Sequence, residues 1–167
     1  REKFHACSAS LRLREQYPGI QAVGYAALVQ PPEEAALIRE MRGQGFSNFH
    51  IWPASRSARP AAVVLIEPLD RRNLVAVGYD MASDPVLRTA MRRARDEAEP
   101  DTTPKVTLVQ EIDADKQPGF LIYLPVYAPP VTPVHLVARR QALRGYVFGA
   151  FRAGDLIADI FSGPHHS

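Results

Sequence analysis

The stretch Gly119-Phe-Leu-Ile-Tyr-Leu-Pro-Val-Tyr127 decides the predicted fold class. It begins at a glycine and is rich in aromatic and β-branched residues, which favour strands. Pro125 has no backbone N–H to donate, so the strand is expected at a sheet edge or to bend there. The run Gly145 to Phe151 has the same composition. Two strands in the last third of the chain therefore predict a β-sheet as the centre of the fold.

In the rest of the chain, predicted strands alternate with predicted helices. Further strands are predicted at residues 20–29, 62–67, 73–79 and 106–112, with another between Phe46 and Pro60 that runs into an exposed loop. Helices are predicted at residues 1–16, 33–42, 85–98 and 155–161 from their apolar spacing and end signals. This order is typical of an α+β domain with an antiparallel sheet.

Composition limits the classes of protein that the chain can represent. The 167 residues are 46% hydrophobic and 23% charged, which predicts one globular domain or two small lobes sharing a core. A net charge of +2 is too balanced for a protein that binds nucleic acid by charge. The longest aliphatic run, Ala61 to Ile66, is far shorter than the roughly 20 residues of a membrane span. The start at Arg1, with no signal-peptide pattern, predicts a segment of a longer or processed protein.

Patterns typical of catalysis or metal binding are missing from the sequence. It contains no nucleophile elbow and no glycine motif for phosphates or dinucleotides. Asp113 and Asp115 fall in a predicted turn, where aspartate is common. Cys7 is the only cysteine, and the pair His165 and His166 belongs to a predicted tail, residues 162–167. We therefore expect no enzyme activity, no metal site and no cofactor.

The predicted helix after Asp84 carries a row of arginines opposite its apolar face. These are Arg88, Arg92, Arg93 and Arg95. Such a cluster can bind phosphate, whereas the alternative is a solvated face paired in part with Asp96 and Glu97. The two acidic neighbours favour the solvated face.

Several segments resemble a known family when they are taken in order. They are Tyr17-Pro-Gly-Ile-Gln-Ala-Val-Gly24, Ile66-Glu-Pro68, Gly78-Tyr-Asp-Met-Ala-Ser-Asp-Pro85, Ala94-Arg-Asp96, Gly119 to Tyr127, and Gly145-Tyr-Val-Phe-Gly-Ala-Phe-Arg152 with Asp155-Leu156. Together they resemble the CHASE domain, the extracytoplasmic sensory module of histidine kinases and nucleotide cyclases. The resemblance implies a long N-terminal stalk helix, residues 1–16, followed by a sensor domain, residues 17–161, made of two PAS-like lobes.

The resemblance also implies a ligand site in the membrane-distal lobe. Asp80 matches the aspartate that binds the adenine amino group and ring nitrogen in plant cytokinin receptors of this family. Thr102 and Thr103 match the stretch that contacts the other edge of the ring, within a segment, residues 97–105, that departs from the family's usual Thr-Gly pattern. Tyr123 and Phe148 are the expected apolar wall. Because neighbouring residues of a strand face opposite sides, Phe120 and Tyr123 cannot both face one pocket.

Residue chemistry allows two roles for Asp80. It follows a strand-like run and precedes a helix start, so its carboxylate can accept hydrogen bonds from an N–H-bearing ligand. The alternative is that it caps backbone amides in the turn and needs no ligand.

These observations predict the extracytoplasmic small-molecule-sensing domain of a bacterial transmembrane receptor. The expected ligand is heterocyclic or amine-bearing, and the expected partner is a second copy of the chain, joined through the stalk helix. The expected location is the periplasmic or extracellular side of an inner membrane. The alternative is a ligand-free structural or dimerisation domain of the same receptor.

Overall fold

A five-stranded antiparallel sheet forms the centre of the computed structural model, which describes residues 2–10, 13–17, 19–54, 57–129 and 131–162. The strands are β1 (Ile20–Leu28), β2 (Ala61–Glu67), β3 (Asp101–Thr102), β4 (Gly119–Tyr127) and β5 (Leu143–Arg152). Their order across the sheet is β2-β1-β5-β4-β3. The predicted α+β class with an antiparallel sheet is therefore confirmed.

Helices flank the sheet and connect its strands. They are α1 (Glu2–Ser10), α2 (Leu13–Gln16), α3 (Glu34–Gly43), α4 (Arg71–Leu74), α5 (Pro85–Glu97), α6 (Leu136–Ala142) and α7 (Ala153–Ser162), with 3-10 turns at Pro31–Glu33 and Met81–Ser83. Three of the predicted helices match α3, α5 and α7 closely. The predicted tail lies outside the described residues from residue 163 onward, and so do both of its histidines.

α5 is the helix that covers the core face of the sheet. It starts where Asp84 Oδ1 accepts hydrogen bonds from the backbone N–H groups of Val86 (2.7 Å) and Leu87 (3.2 Å). It ends at Ala98, which has left-handed backbone with φ of 58°. Its buried residues are Leu87, Ala90, Met91 and Ala94, and they join the main hydrophobic cluster.

Alternation along the strands determines which side chains face α5. In β4, Leu121 and Tyr123 are buried, whereas Phe120 lies on the opposite face and stacks on Phe151 with ring centroids 4.9 Å apart. The predicted separation of Phe120 from Tyr123 is therefore confirmed. Phe148 of β5 lies over Gly24, where a Cβ would be 2.4 Å from the Phe148 ring, so only glycine fits at that position.

Two of the predicted strands are wrong, because residues 73–79 and 106–112 contribute only isolated bridges. At residues 73–79, Asp70 Oδ1 caps α4 by accepting from Asn73 N, and the buried Asn73 amide donates to the carbonyls of Gln21 and Pro68. At residues 106–112, only Val106 forms a bridge, to Gly119, and turns follow it. Between residues 46 and 60, the described residues contribute a single bridge, from Trp52 to Tyr79.

Within the described residues, the structure does not show the predicted long stalk helix over residues 1–16 or a division into two lobes. α1 ends at Ser10 and α2 is short, with residues 11 and 12 outside the described part. Most described side chains of α1 are exposed, and its contact with the sheet includes His5 Nδ1 at 3.0 Å from Glu67 Oε1. All five named strands belong to one sheet.

Candidate functional site

A cavity of about 250 Å³ lies between α5, the sheet and residues 57–60, which we call the 57–60 loop. It is lined by Leu28, Ser57, Ala58, Arg59, Ala82, Arg88, Met91, Arg92, Arg95, Leu143 and Tyr146. We call this space the α5 cavity. Its volume is slightly below the range of about 300–1,000 Å³ common for ligand pockets, so it suits a small molecule.

Asp80 lies directly behind the wall of the α5 cavity. Its side chain is fully buried. Oδ2 accepts hydrogen bonds from the backbone N–H (2.8 Å) and the hydroxyl (2.9 Å) of Ser57. Oδ1 accepts from the backbone N–H groups of Ala61 (2.8 Å) and Ala82 (3.0 Å). Because Ser57 and Ala82 line the cavity, Asp80 holds two parts of its wall together.

The second role considered for Asp80, the capping of backbone amides, is the one the geometry displays. The direct ligand contact inferred from the resemblance stays a prediction. A ligand that reaches the carboxylate has to displace Ser57 or Ala82, since their donors already occupy both oxygens.

Tyr123 and Phe148 are brought together as direct partners across β4 and β5. Both are fully buried, and the Tyr123 hydroxyl lies 3.6 Å from the Met81 sulfur. Tyr123 also packs edge-on against Tyr146, with centroids 5.9 Å apart. Tyr146 lines the cavity, so Tyr123 lies one ring deeper in the core.

Both phenols have a pKa above the ordinary value because they are buried. It raises the pKa of Tyr123 well above 10.0, and nearby Tyr79 and Asp84 act in the same direction. Burial also raises the pKa of Tyr146, although the charges of Arg95 and Arg59 oppose it. The Tyr146 hydroxyl therefore remains a hydrogen-bond donor at neutral pH.

Thr102 and Thr103 lie at the other edge of the sheet from Asp80. Asp80 forms a bridge with Ala62 of β2, whereas Thr102 is in β3, and β1, β5 and β4 separate those two strands. Thr102 is exposed, and Thr103 Oγ1 accepts a hydrogen bond from Leu121 N at 3.0 Å. Neither threonine lines the α5 cavity.

The arginines of α5 divide between solvent and the cavity. Arg93 pairs with Asp101 on the surface, and Arg95 pairs with Asp96 at 2.6 Å. Arg88, Arg92 and Arg95 nevertheless line the cavity. The prediction of a solvated, paired arginine face on α5 therefore describes only some of these arginines. Arg59 and Ser57 could not be recognised as site residues from the sequence, because residues on a loop carry no periodic signal.

A second polar cluster, also missed, joins β5 to the turns before β4. The Glu111 side chain is fully buried, and its Oε1 lies 2.7 Å from Arg152 Nε and 3.8 Å from Arg72 Nη1. Arg152 also bonds Asp155 of α7 at 2.7 Å. A polar cavity of about 350 Å³ lies beside this cluster, at the start of β1. The cluster ties the beginning of α7 to the sheet.

The chain was compared with known proteins over its whole length. No curated protein matches it. Within the described part of the chain, the helices are too short or too polar to cross a lipid bilayer. The sequence model of the CHASE domain, an extracytoplasmic sensory domain and not a catalytic one, matches residues 1–166. The chain therefore belongs to the CHASE domain family.

Proposed function

We propose that this CHASE domain detects a small molecule in the α5 cavity, as the periplasmic or extracellular part of a bacterial inner-membrane receptor. The parent protein is then a histidine kinase or a diguanylate cyclase. One observation carries the proposal. Asp80, the residue to which the resemblance assigns ligand binding, bonds Ser57 and Ala82, and both residues line the cavity.

Strand β5 offers a route from the cavity to the end of the chain. Leu143 and Tyr146 line the cavity, and the same strand ends at Arg152, directly before α7. A ligand that binds one arrangement of these residues better than another shifts the equilibrium by its difference in affinity. α7 is the element that carries this shift toward the membrane and the output domain.

Dimerisation is the second part of the proposal. The described side chains of α1 are mostly exposed, and α7 exposes Ile157, Ile160 and Phe161. We propose that two copies associate through the N-terminal helix, where a longer parent chain extends it into the stalk. Sedimentation of a chain extended at its N-terminus tests this, and a monomer at all concentrations would argue against it.

The experiment for ligand sensing is a binding screen with a blocked variant. Purines, amino acids, polyamines and small organic acids are screened by thermal shift and ligand-observed NMR, which covers the heterocyclic and amine-bearing ligands expected from sequence. Ala58→Trp places a large ring at the exposed rim of the cavity. Ala36→Trp, at an exposed site on α3, is the matched control. We expect a hit whose binding is lost in Ala58→Trp and kept in Ala36→Trp.

The opposite result would favour a ligand-free structural domain. The four hydrogen bonds of Asp80 and the complete burial of Tyr123 and Phe148 are the observations that favour that alternative. No hit across the screen, or a hit unaffected by Ala58→Trp, would contradict sensing in the α5 cavity.

A further inference from the structure

The α5 cavity has a cationic rim built from two separate elements. Arg88, Arg92 and Arg95 stand at positions i, i+4 and i+7 of α5, a spacing that puts them on one face of the helix. Arg59 lines the same cavity from the 57–60 loop. The lining residues include no aspartate or glutamate. The rim therefore concentrates positive charge that the chain's near-balanced composition does not reveal.

Within the described residues, two of the rim arginines bond neutral groups of the protein. Arg88 Nη1 donates to the Ala82 carbonyl at 2.8 Å, which is a neutral partner. With its amide turned to satisfy both groups, Gln30 accepts from Arg59 Nε at 3.0 Å and Nη2 at 2.8 Å. Among the rim arginines it is Arg95 that has a carboxylate partner, Asp96, within the part of the chain that the structure describes.

The floor of the cavity is apolar apart from one hydroxyl. Leu28, Met91 and Leu143 supply aliphatic surface, and Tyr146 supplies a ring. Tyr146 lies close enough to Arg59 and Arg95 for their charges to act on its phenol. Tyr146 therefore adds a neutral phenol to the lining, and a phenol can donate a hydrogen bond to a ligand.

We propose, on the basis of the proposed sensing function, that the ligand of the α5 cavity is a small organic anion with an apolar body. Its carboxylate or phosphate group binds between Arg59 and the α5 arginines, and its body contacts Leu28, Met91 and Leu143. The planar guanidinium fork suits this role because it donates two parallel hydrogen bonds to a carboxylate or phosphate.

Other ligand charges fit the rim less well. A cationic amine would add a like charge to a rim that has no carboxylate in its lining. A neutral isostere would bring no ionic partner for Arg59, Arg88 or Arg92. The anion class therefore differs from the amine-bearing ligand expected from sequence, and the charge of the ligand is the property that separates the two.

The test uses probes of one shape and three charges. Benzoate, benzamide and benzylamine share a ring, and phenyl phosphate tests the second anionic group. Dissociation constants are measured by NMR titration of the 167-residue chain. We expect benzoate or phenyl phosphate to bind at least about tenfold more tightly than benzamide, since a charge-assisted hydrogen bond is lost in the amide. Benzylamine is expected to bind most weakly.

Variants locate the binding and separate it from general charge attraction. Arg92→Gln and Arg59→Gln each remove one rim charge, and we expect each to weaken benzoate binding by about tenfold. Arg39→Gln removes the same charge from an exposed site on α3 and is expected to leave binding unchanged. The inference would be overturned if Arg39→Gln and Arg92→Gln weakened benzoate binding equally. It would also be overturned if neither benzoate nor phenyl phosphate bound.

The anion inference and the sensing proposal fail in different ways. If benzamide or benzylamine binds as tightly as benzoate and Ala58→Trp abolishes that binding, the anion inference is wrong and sensing in the cavity stands. If benzoate binds but Ala58→Trp has no effect, both are wrong for this cavity.

Discussion

Ser57 and Asp80, separated by 23 positions in the chain, are joined by two hydrogen bonds to a single carboxylate oxygen, at 2.8 and 2.9 Å. The other oxygen holds Ala61 and Ala82. One buried side chain thus fixes the start of β2, the 57–60 loop and the turn before α5. The loop side of the cavity depends on this carboxylate for its position.

Asp80→Asn should therefore destabilise the fold and loosen the loop. The amide keeps one acceptor oxygen and presents an NH₂ group to N–H and O–H donors, so buried donors lose their partners. We expect a loss of about 3 kcal/mol in the free energy of unfolding, measured in urea. Amide hydrogen exchange at Ser57 and Ala61 should also accelerate. Asp115→Asn, at an exposed site, is the control, and equal stability of the two variants would contradict this role.

Phe148→Ala should be far more damaging than Phe120→Ala. Phe148 is 1% exposed and lies over Gly24, so its removal leaves a cavity in the core and should cost about 3–5 kcal/mol. Phe120 is half-buried on the opposite face, stacked on Phe151, and a smaller loss is expected. Urea unfolding of both variants gives the comparison. Similar losses of unfolding free energy in the two variants would show that the faces assigned to β4 and β5 are wrong.

Acid should weaken the fold partly through Asp96. Hydrogen bonds from Arg140 and Arg95 hold the pKa of its carboxyl well below its ordinary value of 3.8. The unfolded chain therefore takes up a proton at a pH where the folded chain does not, so stability from this group is complete above about pH 5 and is lost as the pH falls below about 4.

Asp96→Asn tests this pH dependence. Because the Asp96 side chain is 26% exposed and water screens its ion pairs, the loss at neutral pH should be only about 1 kcal/mol. The variant should show a shallower fall in stability between about pH 4 and pH 2 than the unaltered chain. If the fall in stability with pH were equally steep in the variant, carboxyls other than Asp96 would account for the acid dependence.

Glu111→Gln should release the start of α7. The carboxylate is fully buried and paired with Arg152, so breaking the pair should cost about 3 kcal/mol. Faster amide exchange is expected in α7 and at the end of β5. Arg71→Gln, which breaks an exposed pair with Asp113, is the control and should have a much smaller effect. If both variants showed the same amide exchange rates in α7, Glu111 would not be what holds the start of that helix.

The sequence predicted elements whose signals are local. α5 was recognisable from Asp84, Pro85 and its apolar spacing, and β4 and β5 from their composition. The turns at residues 73–79 could not be recognised. The Asn73 amide donates to the carbonyl of Gln21, which is distant in sequence, and to that of Pro68, which lies in an irregular segment. The α5 arginines were visible as a cluster, but Arg59 meets them only through the fold. The carboxylate of Asp80 could be placed near a helix start, while its partners could not be named.

Strand β5 lies between β1 and β4 and is hydrogen-bonded along both sides. From Tyr146 to Arg152 it extends about 20 Å as one unbroken segment. It cannot slide or buckle by itself, because either motion would break both ladders at once. A displacement of the β5 backbone at Tyr146 is therefore shared with β1 and β4, and β5 leads directly into α7.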